Sequence, residues 1–151
     1  MNIRSITADD ILKFEQIGYV EGKRGKLDLK TWLAQGRTEL RLCFIAEESN
    51  QFLARIIYGI SDDNPDELIL WQLKSCLNVQ NHMSINEILL KESLATLKHQ
   101  GFTNVEYHLH SHVVEDVDGY EAMFLHQNFT LSQKKLTFET LKSRETEPNP
   151  T

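Results

Sequence analysis

The middle of the chain carries three runs that are rich in leucine, isoleucine and aromatic residues. They span residues 40–48, 51–60 and 67–77, and short polar segments separate them. Runs of this length, bounded by Asn, Asp, Ser and Pro, are typical of β-strands. Because the connections are only a few residues long, we predict that the three strands form an antiparallel meander.

A long helix is predicted after this meander, between Ser84 and Gly101. Ser84 and Glu87 have the spacing of a capping box, and Gly101 suits the position after the last turn. Apolar residues recur at three- and four-residue spacings along one stripe. The members of this stripe are Ile85, Ile88, Leu89 and Leu97. We therefore expect a helix that begins with Ser84 as its N-cap and buries one face.

The first forty residues predict one strand and two helices. Residues 2–7 form a short edge strand, and Thr7 caps a helix that extends to about Gly22. A second, shorter helix is expected from about Asp28 to Gln35, followed by a glycine.

The C-terminal third returns to the two-residue period of a strand. Residues 102–113 alternate apolar and polar positions, residues 118–127 form a last helix, and residues 129–141 form a last strand. The strand, helix and strand between 67 and 109 then make a parallel unit with a right-handed crossover. We expect a polar, disordered tail at 142–151.

Together these elements predict a single domain over residues 1–141, in the order β-α-α-β-β-β-α-β-α-β. The fold class is α/β in the broad sense (α+β), with a mixed, mostly antiparallel sheet and helices on both faces. The final segment 136–141 is expected to form an exposed edge of this sheet, where a second copy of the chain would make a homodimer. Lys134 and Lys135 would protect the same edge against such pairing.

Composition agrees with one globular domain and narrows its partners. The chain has 151 residues, of which 40% are hydrophobic and 25% charged. Its 16 basic and 22 acidic residues give a net charge of −6, which disfavours nucleic acid as a partner. No apolar run approaches the length of a membrane helix. Cys43 and Cys76 lie in apolar runs, so we expect both to be reduced and buried and the protein to be cytoplasmic.

The order of elements, together with LKHQGFTNVEYHLH and FLHQNFTLSQKKLTFE, resembles the GCN5-related N-acetyltransferase (GNAT) family over residues 1 to about 141. The chain is similar to a divergent member. The resemblance implies acyl-CoA-dependent N-acyl transfer, with acetyl-CoA as cosubstrate and a small-molecule or peptide amine as acceptor. The alternative is a catalytically degenerate domain of the same fold that acts as a binding or partner module.

The resemblance also implies where the cosubstrate binds. In that family a Gln/Arg-x-x-Gly-x-Gly loop opens the long helix, and its free N–H groups hold the pyrophosphate. Here the signature falls on Asn81-x-x-Ser84-x-Asn86, so Ser84 and Asn86 replace both glycines. The predicted cosubstrate-binding residues are Asn81, Ser84, Ile85, Asn86 and, on the last helix, Phe124.

Three residues are candidates for catalysis. The family often has a tyrosine that protonates the departing thiolate, but Phe124 occupies that position, and Tyr120 lies one turn earlier on the same helix face. Glu67 and His110 are candidate bases for the acceptor amine. The structural alternatives are a half-buried core tyrosine for Tyr120 and a solvated surface charge for Glu67.

The string HLHSH is the one unusual chemical pattern. His108, His110 and His112 would share one face of a continuing strand, which is a geometry that zinc accepts. No further metal-ligand motif accompanies them, so we expect no metal and favour His110 as a base at the strand end.

Overall fold

The computed structural model describes residues 1–17, 27–76, 82–102, 104–108, 117–127, 129–132 and 135–139. The strands are β1 (Asn2–Ser5), β2 (Cys43–Glu48), β3 (Gln51–Ile60), β4 (Glu67–Ser75), β5 (Asn104–His108), β6 (Thr130–Ser132) and β7 (Lys135–Glu139). The helices are α1 (Ile11–Glu15), α2 (Leu29–Ala34), α3 (His82–His99) and α4 (Val117–His126). Single 3-10 turns at Ala8–Asp10 and Leu40–Leu42 precede α1 and β2.

All seven strands belong to one mixed sheet in the order β1-β2-β3-β4-β5-β7-β6. Every neighbouring pair is antiparallel except β4 and β5, which are parallel and are joined through α3. The predicted meander, the parallel crossover unit and the mixed, mostly antiparallel fold class are therefore confirmed.

Two apolar cores lie on opposite faces of the sheet. The core on one face packs the sheet against α3 and α4, and includes Tyr58, Leu70, Leu90, Val105 and Phe124. The core on the other face packs the sheet against α1 and α2, and includes Phe14, Leu29, Cys43, Ile45 and Ile57. Helices on both faces follow from this division, because each face of the sheet must be covered by an apolar surface.

The N-terminal helix is shorter than its pattern predicts. α1 ends at Glu15, and Gln16 and Ile17 form a turn. Arg55 donates to the carbonyl oxygens of Phe14 and Glu15, which in a longer helix would accept from the next turn. The remainder of the predicted helix lies outside the described residues.

Two further boundaries differ from prediction. α3 begins at His82, so Ser84 is its third residue rather than its N-cap. The predicted last strand is two strands, and β7 pairs with β5 on one side and with β6 on the other. The expectation of an exposed edge over 136–141 is wrong for Leu136 and Thr137, because both pair with β6. Residues 140 and 141 lie outside the described residues.

No described helix combines the length and the apolar character that crossing a membrane requires. Cys43 is fully buried as predicted, and burial raises the pKa of its thiol to about 11. Cys76 departs from prediction, since it is half-buried and donates its thiol hydrogen to the carbonyl oxygen of Phe52, 3.1 Å away. The predicted tail at 142–151 lies outside the described residues.

Candidate active site

The parallel strands β4 and β5 separate halfway along their length. They pair only at Glu67 with Asn104, Leu68 with Val105 and Ile69 with Glu106. β4 continues to Ser75, whereas the last two residues of β5 pair with β7 alone. Within the described residues, the β5-facing main-chain edge of β4 is therefore unpaired beyond Ile69. We call the wedge between residues 70–75 and 107–108 the β4/β5 cleft.

A β-bulge in β4 lies beside this cleft. Ile57 faces Gln72 and Tyr58 faces Leu70, so Trp71 is an extra residue without a partner on β3. A Cβ atom on Gly59 would lie 2.2 Å from the Trp71 ring, so only glycine allows the ring to occupy this position. Bulges re-aim side chains, and this one directs both Trp71 and Gln72 toward the α1/α2 face.

A buried arginine fixes the orientation of Gln72. Arg55 is fully buried, and its Nε and Nη2 atoms donate to the Gln72 Oε1 at 3.1 and 2.8 Å. Since arginine has no acceptor atoms, the amide oxygen of Gln72 must face Arg55 and its NH₂ group must point away. Burial lowers the pKa of Arg55 to about 10, which leaves the guanidinium charged at neutral pH.

The same arginine connects the cleft to the N-terminal helices. Its Nη1 donates to the carbonyl oxygen of Phe14 at 2.8 Å, and the buried carboxylate of Glu15 accepts from the main-chain N–H of Leu29 at 2.8 Å. Glu15 thereby caps α2 with a negative charge at the positive end of the helix. We call Arg55, Gln72 and Glu15 the arginine cluster.

On the opposite face, α3 and α4 meet through Asn86 and Tyr120. The Nδ2 of Asn86 donates to the Tyr120 hydroxyl oxygen at 3.1 Å, and Asn86 is fully buried. Its Oδ1 has no hydrogen-bond partner in the described part of the chain. Nearby, Glu87 contacts His126 and accepts from Gln127, which holds the first turns of α3 against the end of α4.

Tyr120 packs against the same apolar core that contains Tyr107, a residue of the cleft. Tyr107 is the first residue of β5 beyond the pairing with β4. Burial raises the pKa of Tyr107 to about 12, and the electrostatic effect of Tyr120 adds to this rise. Tyr107 also stacks on Phe124, with ring centroids 4.5 Å apart. Phe124 therefore has the Tyr107 phenol stacked on its ring, and Tyr120 lies one turn before it on α4.

The predicted cosubstrate residues differ in where the structure places them. Ser84 is exposed in the first turn of α3, and Ile85 is half-buried against the core. Asn86 is the fifth residue of α3, so its main-chain N–H is not among the first four, which alone lack a helical acceptor. A role of Asn86 in holding the cosubstrate stays a prediction. Phe124 is fully buried, and Asn81 lies outside the described residues.

Of the predicted catalytic residues, the structure describes Tyr120 and Glu67. Tyr120 packs against the core that contains Tyr107. Glu67 is the first residue of β4, about 16 Å of strand away from Gln72, and its carboxylate accepts from Asn104 at 3.3 Å. The structure therefore does not bring Glu67 to the cleft. His110 and His112 lie outside the described residues, and so does the side chain of His108.

Among the described residues, no cluster of His, Cys, Asp and Glu side chains has the geometry to hold a metal ion. A groove of about 440 Å³ lies between α1 and the start of β3, and reaches the end of β4 at Cys76. Its lining includes Lys13, Gln16 and Phe52. This groove borders the α1/α2 face, whereas Asn86 and Tyr120 lie on the other face.

Sequence reasoning missed Arg55, Gln72 and Trp71. A signal existed for two of them, because a charge in the centre of a ten-residue buried strand needs a partner and a glycine in a strand marks a bulge or close approach. Neither signal identifies the partner. The contact between Asn86 and Tyr120 spans 34 positions and had no local signal.

Comparison with solved structures gives a consistent result. A GNAT family acetyltransferase from Brucella melitensis in complex with acetyl-CoA superposes with a TM-score of 0.65 at 20% identity, over 91% of this chain and 86% of that one. The ribosomal-protein-S18-alanine N-acetyltransferase from Escherichia coli gives 0.67 at 14% identity, over 97% and 98%. Diaminobutyrate acetyltransferase from Paenibacillus lautus, in complex with its substrate and coenzyme A, gives 0.66 at 16% identity, over 85% and 77%.

No protein-family model matches the chain, and no curated protein matches it by sequence. At these identities the structural likeness establishes the fold and leaves the chemistry to be argued from the residues of this chain.

Proposed function

We propose that this chain, which has the fold of the GCN5-related N-acetyltransferases, transfers an acyl group from an acyl-CoA, with acetyl-CoA as the leading donor, to an amine. The observation that carries the proposal is the β4/β5 cleft, with Tyr120 packed against the core that contains Tyr107 of the cleft. The cleft can hold an extended chain that carries amide groups, and the Tyr120 phenol can donate a proton.

The cleft fits the pantetheine arm of coenzyme A. This arm is extended and carries two amide groups, so it adds to a free strand edge in the way that peptides do. Residues 70–75 of β4 provide such an edge within the described part of the chain. The eighteen-residue helix α3 follows β4 in sequence, and its N-terminus presents free N–H groups and the positive dipole end to the pyrophosphate.

Three residues of the chain then have distinct roles. Ser84, exposed in the first turn of α3, lies where phosphate oxygens would be held. Tyr120 donates the proton that the sulfur needs when the carbon–sulfur bond of the thioester breaks. His110, two positions beyond the end of β5, is the proposed base that accepts the proton of the attacking amine.

The proposed acceptor is a small-molecule or peptide amine. The structural neighbours named above act on diaminobutyrate and on a ribosomal protein, so both classes belong in an acceptor screen. The groove beside Lys13, Gln16 and Cys76 reaches the end of β4 from the α1/α2 face, and we propose that the acceptor approaches along it. We also propose a reducing cytoplasm as the compartment, because no disulfide joins Cys43 and Cys76.

A second candidate is a degenerate domain of the same fold that binds a partner without catalysis. The observation in its favour is that Ser84 and Asn86 replace both signature glycines, whose absence of a Cβ lets phosphates approach the main chain. Both candidates share the fold, so binding of the cosubstrate distinguishes them.

The test uses thermal unfolding with acetyl-CoA, free CoA and ATP on the wild type, Ser84→Glu and Ser84→Gln. A ligand at 100 times its Kd should stabilise the wild type by about 2.7 kcal/mol, and we expect this for the two CoA compounds only. Ser84→Glu should stabilise the free protein by about 0.3–1 kcal/mol, because an acidic residue suits a helix N-terminus.

The same carboxylate should repel the pyrophosphate, so Ser84→Glu should bind CoA at least about tenfold more weakly, a loss of about 1.4 kcal/mol. The neutral Ser84→Gln controls for side-chain size and should retain most of the affinity. A variant that is more stable than the wild type without ligand, and yet binds CoA more weakly, cannot be explained by misfolding. Wild-type protein that shows no stabilisation by millimolar CoA would favour the degenerate domain.

A further inference from the structure

Asn86 is a polar residue in an otherwise well-packed helix face. The buried residues of α3 form one stripe that faces the sheet, and this stripe consists of Asn86, Leu89, Leu90, Ser93, Leu94 and Leu97. Asn86 lies at the N-terminal end of the stripe, nearest the carboxyl ends of β4 and β5. A leucine would bury apolar surface at this position, whereas asparagine leaves Oδ1 without a partner among the described residues. Packing therefore does not explain the choice of asparagine.

The contact with Tyr120 has a defined direction. Asn86 Nδ2 donates to the phenol oxygen, so the hydroxyl hydrogen of Tyr120 points elsewhere. Rotating the amide by half a turn would let Tyr120 donate to Oδ1, but it would leave both N–H hydrogens of a fully buried amide unpaired. The donating orientation is the one that leaves fewer groups unpaired.

Ser93, on the same stripe, forms a hydrogen-bonded pair with Tyr58 that has a purely structural role. Its hydroxyl is 2.7 Å from the hydroxyl of Tyr58 and also donates to the carbonyl oxygen of Leu90. Tyr58 is completely buried in the core, and burial raises the pKa of its phenol. Tyr120 differs, because it is only half-buried.

We infer that Asn86 is a positioning residue for Tyr120, which orients the phenol and stabilises the phenolate that proton transfer leaves behind. This inference rests on the proposed function. As the carbon–sulfur bond breaks, its electron pair moves to sulfur, and the proton of the Tyr120 hydroxyl moves to the same sulfur to give the free thiol. The phenolate then recovers a proton from water. Asn86 keeps its Nδ2–H directed at the oxygen throughout.

The hydrogen bond helps the reaction because it strengthens as charge develops. A hydrogen bond to an ionised oxygen is about twice as strong as one to a neutral oxygen. The gain is therefore made in the transition state and not in the complex with substrate, so it raises kcat without tightening binding.

The experiment combines kinetics with a titration that needs no activity. Tyr120→Phe should lower kcat about 10²-fold, the usual contribution of a general acid. Asn86→Leu should lower kcat about tenfold, with KM for the acyl-CoA changed less than twofold. The double variant should match Tyr120→Phe alone, since Asn86 acts through the phenol. Ser93→Ala, on the same stripe, should keep kcat within twofold.

The second readout is the ultraviolet difference spectrum of phenolate formation, taken as each protein minus its Tyr120→Phe counterpart. Loss of the N–H donor should move ionisation of Tyr120 to higher pH in Asn86→Leu and equally in Asn86→Ala, which cannot overpack the core. An unchanged titration in both variants overturns the inference even if the enzyme is active. Wild-type protein without transferase activity instead contradicts the proposed function, while the titration still tests the contact.

Discussion

Two polar clusters lie on opposite faces of the same sheet, and they differ in how completely their hydrogen bonds are made. In the arginine cluster, the Nε, Nη1 and Nη2 atoms of Arg55 all donate, to Gln72 and to the carbonyl oxygens of Phe14 and Glu15. In the other cluster, Asn86 makes one side-chain hydrogen bond, to Tyr120, and its Oδ1 has none in the described part of the chain.

This difference distinguishes a cluster that supports the fold from a pair that belongs to the proposed active site. A buried charge with complete hydrogen bonds fixes the relative positions of the elements it joins, here α1, α2, β3 and β4. A buried amide with one unmatched atom lowers stability, and such groups persist where they serve another purpose. We therefore read the arginine cluster as the support of the bulge in β4 and the Asn86–Tyr120 pair as part of the proposed machinery.

The largest effect expected from this comparison is on Arg55. Arg55→Met should lower the free energy of unfolding by about 3–5 kcal/mol, because it leaves Gln72, two carbonyl oxygens and the buried Glu15 without their donor or countercharge. Urea denaturation measures the loss.

Arg41→Met is the matched control, because Arg41 pairs with Glu39 on the surface, where both side chains are about half exposed. It should cost less than about 1 kcal/mol. Equal losses in the two variants would remove the distinction between the arginine cluster and an ordinary surface charge.

The second effect is smaller and of opposite sign. Asn86→Leu should leave the free energy of unfolding unchanged or raise it by about 1 kcal/mol, because it removes an unmatched buried polar atom. Gain of stability together with loss of kcat is the pattern of a functional residue. A loss of 3 kcal/mol or more, on the scale of a broken buried network, would place Asn86 with the scaffold instead.

The smallest expected effect is on stability at low pH. It involves an ion pair at the edge of the sheet that belongs neither to the arginine cluster nor to the Asn86–Tyr120 pair. Arg4, 2.8 Å from the carboxylate of Asp10, holds the pKa of that group at about 2, below its ordinary 3.8. The folded protein therefore binds fewer protons than the unfolded chain over this interval, and stability should fall as the pH drops from about 4 to about 2.

Arg4→Met should flatten that part of the stability profile and leave the profile above pH 5 with a similar slope. Thermal unfolding at a series of pH values measures it. The effect should be modest, since the Arg4 side chain is about one-third exposed. A profile identical to that of the wild type would show that Asp10 titrates without its partner.

The fold was largely predictable because its information is local. The runs at 51–60 and 67–77 are rich in strand-forming residues, and the structure has strands over most of both. In the predicted stripe of α3, Leu89 and Leu97 are buried, whereas Ile88 is exposed. Boundaries were less predictable where a distant residue decides them. Glu87 suits a capping box in sequence, but in the structure it accepts from Gln127, and α3 starts two residues earlier than Ser84.

The candidate site was less predictable because it depends on contacts between distant elements. That β4 and β5 pair over only three residues follows from neighbouring elements and not from either strand's own sequence. Tyr120 was identified through its spacing from Phe124, but its partner Asn86 had been assigned to phosphate binding. A glycine and an arginine inside a buried strand indicate close packing at Gly59 and Arg55. They do not show that the neighbours are Trp71 and Gln72.

The most direct test of the account is hydrogen exchange of the protein with and without acetyl-CoA. We predict slower exchange in two segments, residues 70–75 of β4 and the first turn of α3. Exchange around Arg55 on β3 should be unchanged, because the main chain there already pairs with both β2 and β4. Protection confined to the groove around Lys13 and Cys76, or no protection at all at saturating ligand, would contradict the proposal that the β4/β5 cleft receives the cosubstrate.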